Sequence, residues 1–172
     1  MAALIVNALN FQLLWLCCVI FADMRALVAL LVFFLIHAAL PGSRLHEWRY
    51  IVFFVAFGLL IESSLASIGL IEFTGQFEIY RSGNSAIVIA PLWLLAMWAG
   101  FAACIDHSLK PLLLRPALFW IVIAAGVPAS YALGAELSHS QLLVPTFTFL
   151  SCELLLWLAL LWVFKNHVKQ AI

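Results

Sequence analysis

The chain has 172 residues, 67% of them hydrophobic and 9% charged, with zero formal net charge at neutral pH. Soluble domains run at roughly 45–50% apolar and about 25% charged, and a chain this short has too little interior to hide the surplus. A soluble globular fold is excluded, a bilayer must supply the missing burial, and with no basic excess a nucleic-acid partner is not expected.

Crossing about 30 Å of hydrocarbon takes about 20 apolar residues at a rise of 1.5 Å each. Six stretches answer that description, at 4–22, 26–40, 50–71, 86–109, 117–135 and 142–164. The first lacks the basic n-region of a signal peptide, and Asn7, Asn10 and Gln12 interrupt its apolar run, so it reads as a retained span. The second is the shortest and stops at Pro41-Gly42-Ser43, because proline cannot continue a helix and disfavours helix in the residue before it. The longest loop follows the third stretch, and Arg81-Ser82-Gly83-Asn84 gives it turn chemistry. In lipid every backbone amide must bond internally, and the alternating period of a barrel is absent. The expected fold is all-α, one domain, a bundle of six transmembrane helices.

Basic residues set the orientation. Arg44 and Arg49, Lys110 and Arg115, and Lys165 and Lys169 fall at one end of such a bundle, against Arg25 and Arg81 at the other. The positive-inside rule then places both termini in the cytoplasm.

Two acids stand alone in apolar surroundings, Glu62 in the third stretch and Glu153 in the sixth. An ionisable group there costs about 2–4 kcal/mol on insertion scales unless something offsets it, so these residues are the first candidates for function. Glu62 shares a helical face with Gly58, Ala66 and Gly69, small residues that let a neighbouring helix approach. Glu153 shares one with Thr146, Phe149, Trp157 and Leu160, and Asn7, Asn10, Leu14 and Cys17 make a third stripe. By depth, Asn10, Glu62 and Glu153 are expected to form one middle layer. No lysine or arginine lies at that depth, so at least one glutamate is expected to be protonated at neutral pH. Such a layer is either a hydrogen-bonded clamp between helices or a proton-handling or ligand site.

A second cluster is expected at the cytoplasmic ends, from His37, His46, Glu47, Asp106 and His107. Groups of this kind suit acid–base work on headgroups or metal binding, and equally plain contact with water and phosphate at the interface. Trp93, Met97, Gly100, Cys104 and His107 align on one face of the fourth stretch and could line a pocket, with Trp98 nearby. Trp15, Trp48, Trp120 and Trp162 lie towards span ends, as an interfacial belt requires. Cys17, Cys18, Cys104 and Cys152 have neither C-x-x-C nor zinc spacing and read as packing residues.

Familiar catalytic signatures fail. His46-Glu47-Trp48-Arg49-Tyr50 begins like the metalloprotease H-E-x-x-H but has Tyr50 in place of the second histidine. The segment from Lys110 to Arg115-Pro116 is similar to the first motif of lipid phosphatases, with a shorter spacing and no histidine motif. No G-x-S-x-G turn occurs. The third span of each half of the chain carries a glutamate, an arrangement compatible with an inverted repeat around a midplane site, although the halves share no sequence pattern.

The whole pattern resembles a bacterial inner-membrane family, domain of unknown function 2878. The likeness rests on Asn10-Phe11-Gln12 with Trp15, Gly58-Leu59-Leu60-Ile61-Glu62-Ser63, Pro91-Leu92-Trp93 with Met97-Trp98 and Phe101, His107-Ser108-Leu109, and Pro128-Ala129-Ser130-Tyr131 with Gly134. Glu62 stands where that pattern has an aspartate, and Asp106 where it has an asparagine. The resemblance implies a bacterial inner membrane, no assigned activity, and encoding near enzymes that modify membrane fatty acids. It brings Tyr131, His107 and Trp93 beside Glu62 as candidate site residues.

The sequence reading is therefore a membrane protein that binds or helps process a lipid-like or polar small molecule. Glu62 is the buried proton donor or anchor, Asn10 and Glu153 support it, His107 is an acid–base or headgroup-contacting group, and Trp93, Trp98 and Tyr131 are pocket walls. No cofactor or metal is assigned. Membrane lipids are the expected partners, with self-association left open. The alternatives are a small proton-coupled transporter and a structural or assembly subunit without chemistry.

Overall fold

A computed structural model describes residues 2–41, 47–82 and 85–168. Helices carry most of them: α1 Ala2–Phe21, α2 Arg25–Ala39, α3 Glu47–Ser67, α4 Leu92–Ala103, the single turn α5 Lys110–Leu113, α6 Pro116–Leu137 and α7 Thr146–Val163, which runs into a π-helical turn at Phe164–Val168. Four of them, α1, α3, α6 and α7 with its extension to Asn166, are long and apolar enough to cross a membrane, whereas α2 and α4 are shorter. The bundle surface matches a lipid setting, with Leu9, Leu13, Leu35, Leu60, Ile121 and Leu155 all well exposed. Water would not tolerate so continuous an apolar exterior.

The connections gather at two ends. At one, β1 (Ile71–Glu72) pairs antiparallel with β4 (Gln141–Leu142), and the Thr74 amide donates to Ser140 Oγ. Gly75, with φ +74°, lies beside the Ala22 carbonyl that ends α1. At the other end, side chains from the start of α1, the end of α2, the start of α3 and the turn after α4 meet.

The fourth expected helix needs correction. The span read as helix over 86–109 opens as a strand, β3 (Ser85–Ile89), paired antiparallel with β2 (Phe77–Ser82), and α4 starts only at Leu92. Ile87, Val88 and Ile89 are β-branched, and Pro91 caps the helix that follows. The strand is fastened to α3 by two serines one turn apart. Ser67 Oγ accepts the Val88 amide at 3.0 Å, and Ser63 Oγ accepts the Ala90 amide at 3.0 Å. Four residues of helix rise about 6 Å and two of strand about 6.6 Å, so the spacings match. At the exposed hairpin, the Arg81 guanidinium beside Glu78 holds that carboxyl below the usual carboxylate range. The fold is thus not purely helical, since small strand pairs cap one end.

Other boundaries shift for local reasons. The third helix ends at Ser67 rather than near 71, because Gly69 adopts φ +76° and the Leu70 amide turns back to the Leu65 carbonyl. Gly69 is therefore a helix stop and not part of the small-residue face. The last helix begins at Thr146 because Pro145 precedes it and Gln141–Leu142 is strand.

Packing centres on α3 against α4. Gly58 is where the absence of a side chain decides the contact, since a Cβ there would lie 2.5 Å from the Trp98 ring. Cys18 and Cys104 are buried free thiols, while Cys17 and Cys152 are half-buried.

Candidate functional site

Glu62 lies one turn beyond Gly58 on α3 and is fully buried. Gly58 lets the Trp98 indole lie flat on α3, and the Nε1–H then donates to Glu62 Oε1 at 3.1 Å. The Tyr131 hydroxyl, from α6, donates to the same oxygen at 2.5 Å and accepts from Trp157 Nε1–H at 3.2 Å. Trp98 and Trp157 stack with centroids 4.5 Å apart and planes 9° from parallel. Glu153, one turn before Trp157 on α7, is also fully buried and close enough to interact electrostatically with Glu62 and Tyr131. Among the described residues, Glu62 Oε2 and both Glu153 oxygens have no hydrogen-bond partner. Buried polar atoms are nearly always partnered, so three orphan oxygens in one place mark a spot built for something more than packing.

A cleft of about 460 Å³ runs beside this layer. Its walls include Phe11 and Trp15 from α1, Trp93 and Met97 from α4, and Gly126 and Tyr131 from α6, and it reaches from Ser138 and Ser140 at one end to Leu109 and Leu112 at the other. Trp98, Tyr131 and Trp157 line it too, whereas the two glutamates stand behind them. Trp98 and Tyr131, which both donate to Glu62, are thus the wall between the acids and the cleft. Such a volume with aromatic walls and few polar groups is ordinary for a small-molecule site.

The second cluster is fully connected. His37 Nε2 lies 2.9 Å from Glu47 Oε2, and His107 Nε2 lies 3.1 Å from Glu47 Oε1. Asn7 joins it, with Nδ2 3.1 Å from His37 Nδ1 and Oδ1 accepting from the Ser108 amide and hydroxyl. His37, Glu47 and His107 are all buried, and their ligand atoms lie within 4.8 Å of one another. This group could hold a metal ion, although linear spacing gave no reason to assign one.

The expected middle layer is met in part. Glu62, Glu153, Trp98 and Tyr131 come together, but Asn10 does not join them: its Nδ2 donates to the Phe33 carbonyl of α2 at 3.0 Å. Rotation of α1 about its axis, which depth along a span does not reveal, points Asn10 at α2. Trp93 lines the cleft and is anchored at the strand-capped end, its Nε1–H donating to the Thr74 carbonyl at 2.8 Å. His107 belongs to the other cluster. Asp106 faces the Tyr50 hydroxyl, and His46 lies outside the described residues, as do Arg44, Gly83, Asn84 and Lys169.

Trp157 and Asn7 were not singled out by sequence as site residues. For Trp157 the signal was its place four residues after Glu153, and for Asn7 its place three before Asn10 on one polar stripe. Neither a curated protein nor a solved structure matches the chain. A family's sequence model does, over residues 4–163, and the chain belongs to that family, described as a protein of unknown function, DUF2878.

Proposed function

We propose that the chain crosses a bacterial inner membrane six times with both termini cytoplasmic, and that its cleft binds a lipid-like molecule. The chain of the ligand lies along the apolar walls, and its polar group meets the Tyr131 hydroxyl. Glu62 positions that hydroxyl, and Glu153 completes the buried acid pair. The observation that carries this reading is the cleft itself, about 460 Å³ with Tyr131 in its wall and three unpartnered carboxylate oxygens behind it. The six-against-two distribution of lysine and arginine supports the orientation. A proton-coupled transporter is the second reading, favoured by two acids interacting with each other at depth.

Gly126 offers a direct test. It lines the cleft, and a Cβ there meets nothing within 4 Å, so a phenylalanine fills the cleft without disturbing the helix backbone. Lipid that survives purification of the full chain in detergent is extracted and quantified by mass spectrometry. Gly126→Phe is expected to retain at least about tenfold less of it than the wild type, a difference of 1.4 kcal/mol in binding. Tyr131→Phe, which keeps the wall and removes only the hydroxyl, is expected to shift the retained species away from those with a hydrogen-bonding head. Equal retention and an equal profile in both variants would refute the cleft as the binding site.

A further inference from the structure

We propose that His37, Glu47 and His107 form a binding site for one divalent transition metal of the zinc class, separate from the cleft and independent of the lipid-binding reading. Three chain segments deliver the donors: the last turn of α2, the first residue of α3, and the turn that follows α4. The fold spends three element ends on this one point. Each of the three side chains is only 5% exposed.

The donor geometry is close to that of a bound ion. Ligand bonds of about 2.0–2.2 Å in a tetrahedral site separate neighbouring donors by roughly 3.4 Å. Here the two nitrogen–oxygen separations are 2.9 and 3.1 Å, each to a different oxygen of Glu47, and the ligand atoms of the three side chains all lie within 4.8 Å of one another, so a small rearrangement brings them to an ion. Two imidazoles and a carboxylate suit zinc, cobalt, nickel or iron(II) and not calcium or magnesium, which prefer all-oxygen shells. One carboxylate and two neutral rings leave a net charge of +1 around a dication. Among the described residues the set supplies three ligands, which leaves a fourth position for water or for an anionic oxygen such as a phosphate.

Asn7 fixes the proton on His37. The Ser108 backbone amide can only donate, so the atom of Asn7 facing it at 3.2 Å is the oxygen. The Asn7 nitrogen therefore faces His37 Nδ1 and donates to it, which leaves the ring proton on Nε2, shared with Glu47. Metal coordination at Nε2 requires the opposite tautomer, with Nδ1–H as the donor. Turning the Asn7 amide over provides it: Oδ1 then accepts from Nδ1–H and Nδ2 donates to Ser108 Oγ, at the expense of one bond to the Ser108 amide. Each neutral ring keeps its single proton, which moves from Nε2 to Nδ1 as the ion takes its place between the same three side chains. Asn7 is thus a positioning residue that distinguishes a proton-sharing form from a metal-holding form.

The test uses the full chain purified in detergent with chelator and titrated with cobalt(II), whose low-coordinate complexes absorb visible light. The expected result is a visible band that saturates at one cobalt per chain and is abolished by one equivalent of zinc. Glu47→Gln and His107→Gln are expected to lose the band, and His139→Gln, at an exposed histidine remote from the cluster, to keep it. Asn7→Asp places a carboxylate behind His37 and is expected to tighten cobalt binding by about tenfold or more. A plain hydrogen-bonded clamp predicts no saturable band and no effect of Asn7→Asp. Absence of the band in the wild type, or a band that survives in correctly folded Glu47→Gln and His107→Gln, overturns the proposal. Should those two variants fail to fold, the wild-type stoichiometry and the Asn7→Asp shift decide it, and failure of either counts against the site.

Discussion

Helix α3 carries a buried carboxylate in its first turn, Glu47, and another four turns later, Glu62, separated by about 22 Å of helical rise. Each accepts hydrogen bonds from two ring systems on other segments: two imidazoles for Glu47, an indole and a phenol for Glu62. The arrangements look alike and differ in what the donors can become. An imidazole nitrogen that gives up its proton exposes a lone pair and turns from donor into ligand, whereas an indole nitrogen has none to offer. The donors are also spread differently. Both oxygens of Glu47 are engaged, one by each histidine, while both donors to Glu62 converge on Oε1 and leave Oε2 and the whole of Glu153 unpartnered. The first region is a network of hydrogen bonds whose Nε2 protons can move aside for an ion. The second is an incomplete network beside a cleft, with carboxylate oxygens left over for a further partner.

Truncating the closed network should cost the most. Glu47→Ala strands two buried imidazole N–H groups and leaves a cavity between three segments, for an expected loss of about 3–5 kcal/mol of unfolding free energy. Denaturant unfolding in mild detergent measures it, and a loss below about 1 kcal/mol would show that the two histidines find other partners. A smaller effect is expected at the mid-depth layer from Gly58→Ala. Its Cβ would sit 2.5 Å from Cγ and Cδ2 of Trp98, on the ring itself and not on the end of a flexible chain. Overpacking of this kind costs about 1–3 kcal/mol. The displaced indole loses both its bond to Glu62 and its stack on Trp157, so tryptophan fluorescence should change while cobalt binding at Glu47 does not. Coupled losses at both places would mean that the two regions are one unit.

How much of this was readable beforehand follows from what a one-dimensional pattern encodes. Apolar length and isolated charge are local, so the long helices, the burial of Glu62 and Glu153, and the gathering of His37, Glu47 and His107 at one end could all be read from the chain. Rotation of a helix about its axis is not local. Asn10 has the depth of Glu62 but faces α2, and nothing in its neighbours indicates this. The run Ala86–Ile89 is equally ambiguous, because four apolar residues fit strand or helix until a partner appears. That partner is β2 on one side and the Ser63/Ser67 pair on the other. The cleft was legible only in part: Trp93, Trp98 and Tyr131, expected as pocket walls, line it, but its other walls come from separate segments that no spacing joins.

The smallest expected effect is also the one of opposite sign. Glu153 is fully buried, and among the described residues neither of its oxygens has a hydrogen bond of good geometry, so its carboxyl is desolvated with little compensation from Tyr131 nearby. Methionine has nearly the same length and no polar atom to satisfy. Glu153→Met should therefore leave the unfolding free energy unchanged or raise it by up to about 2 kcal/mol, in contrast to the loss at Glu47. A residue that weakens the fold where it stands needs another reason to be there, and sites that bind or react commonly accept such a cost. The same variant should then lose the lipid that the wild type retains through purification. Greater stability together with lost lipid would identify Glu153 as part of a binding site. A drop of more than about 1 kcal/mol would instead show that its carboxyl ties α7 to the bundle, and the contrast between the two regions of α3 would reduce to a difference in depth.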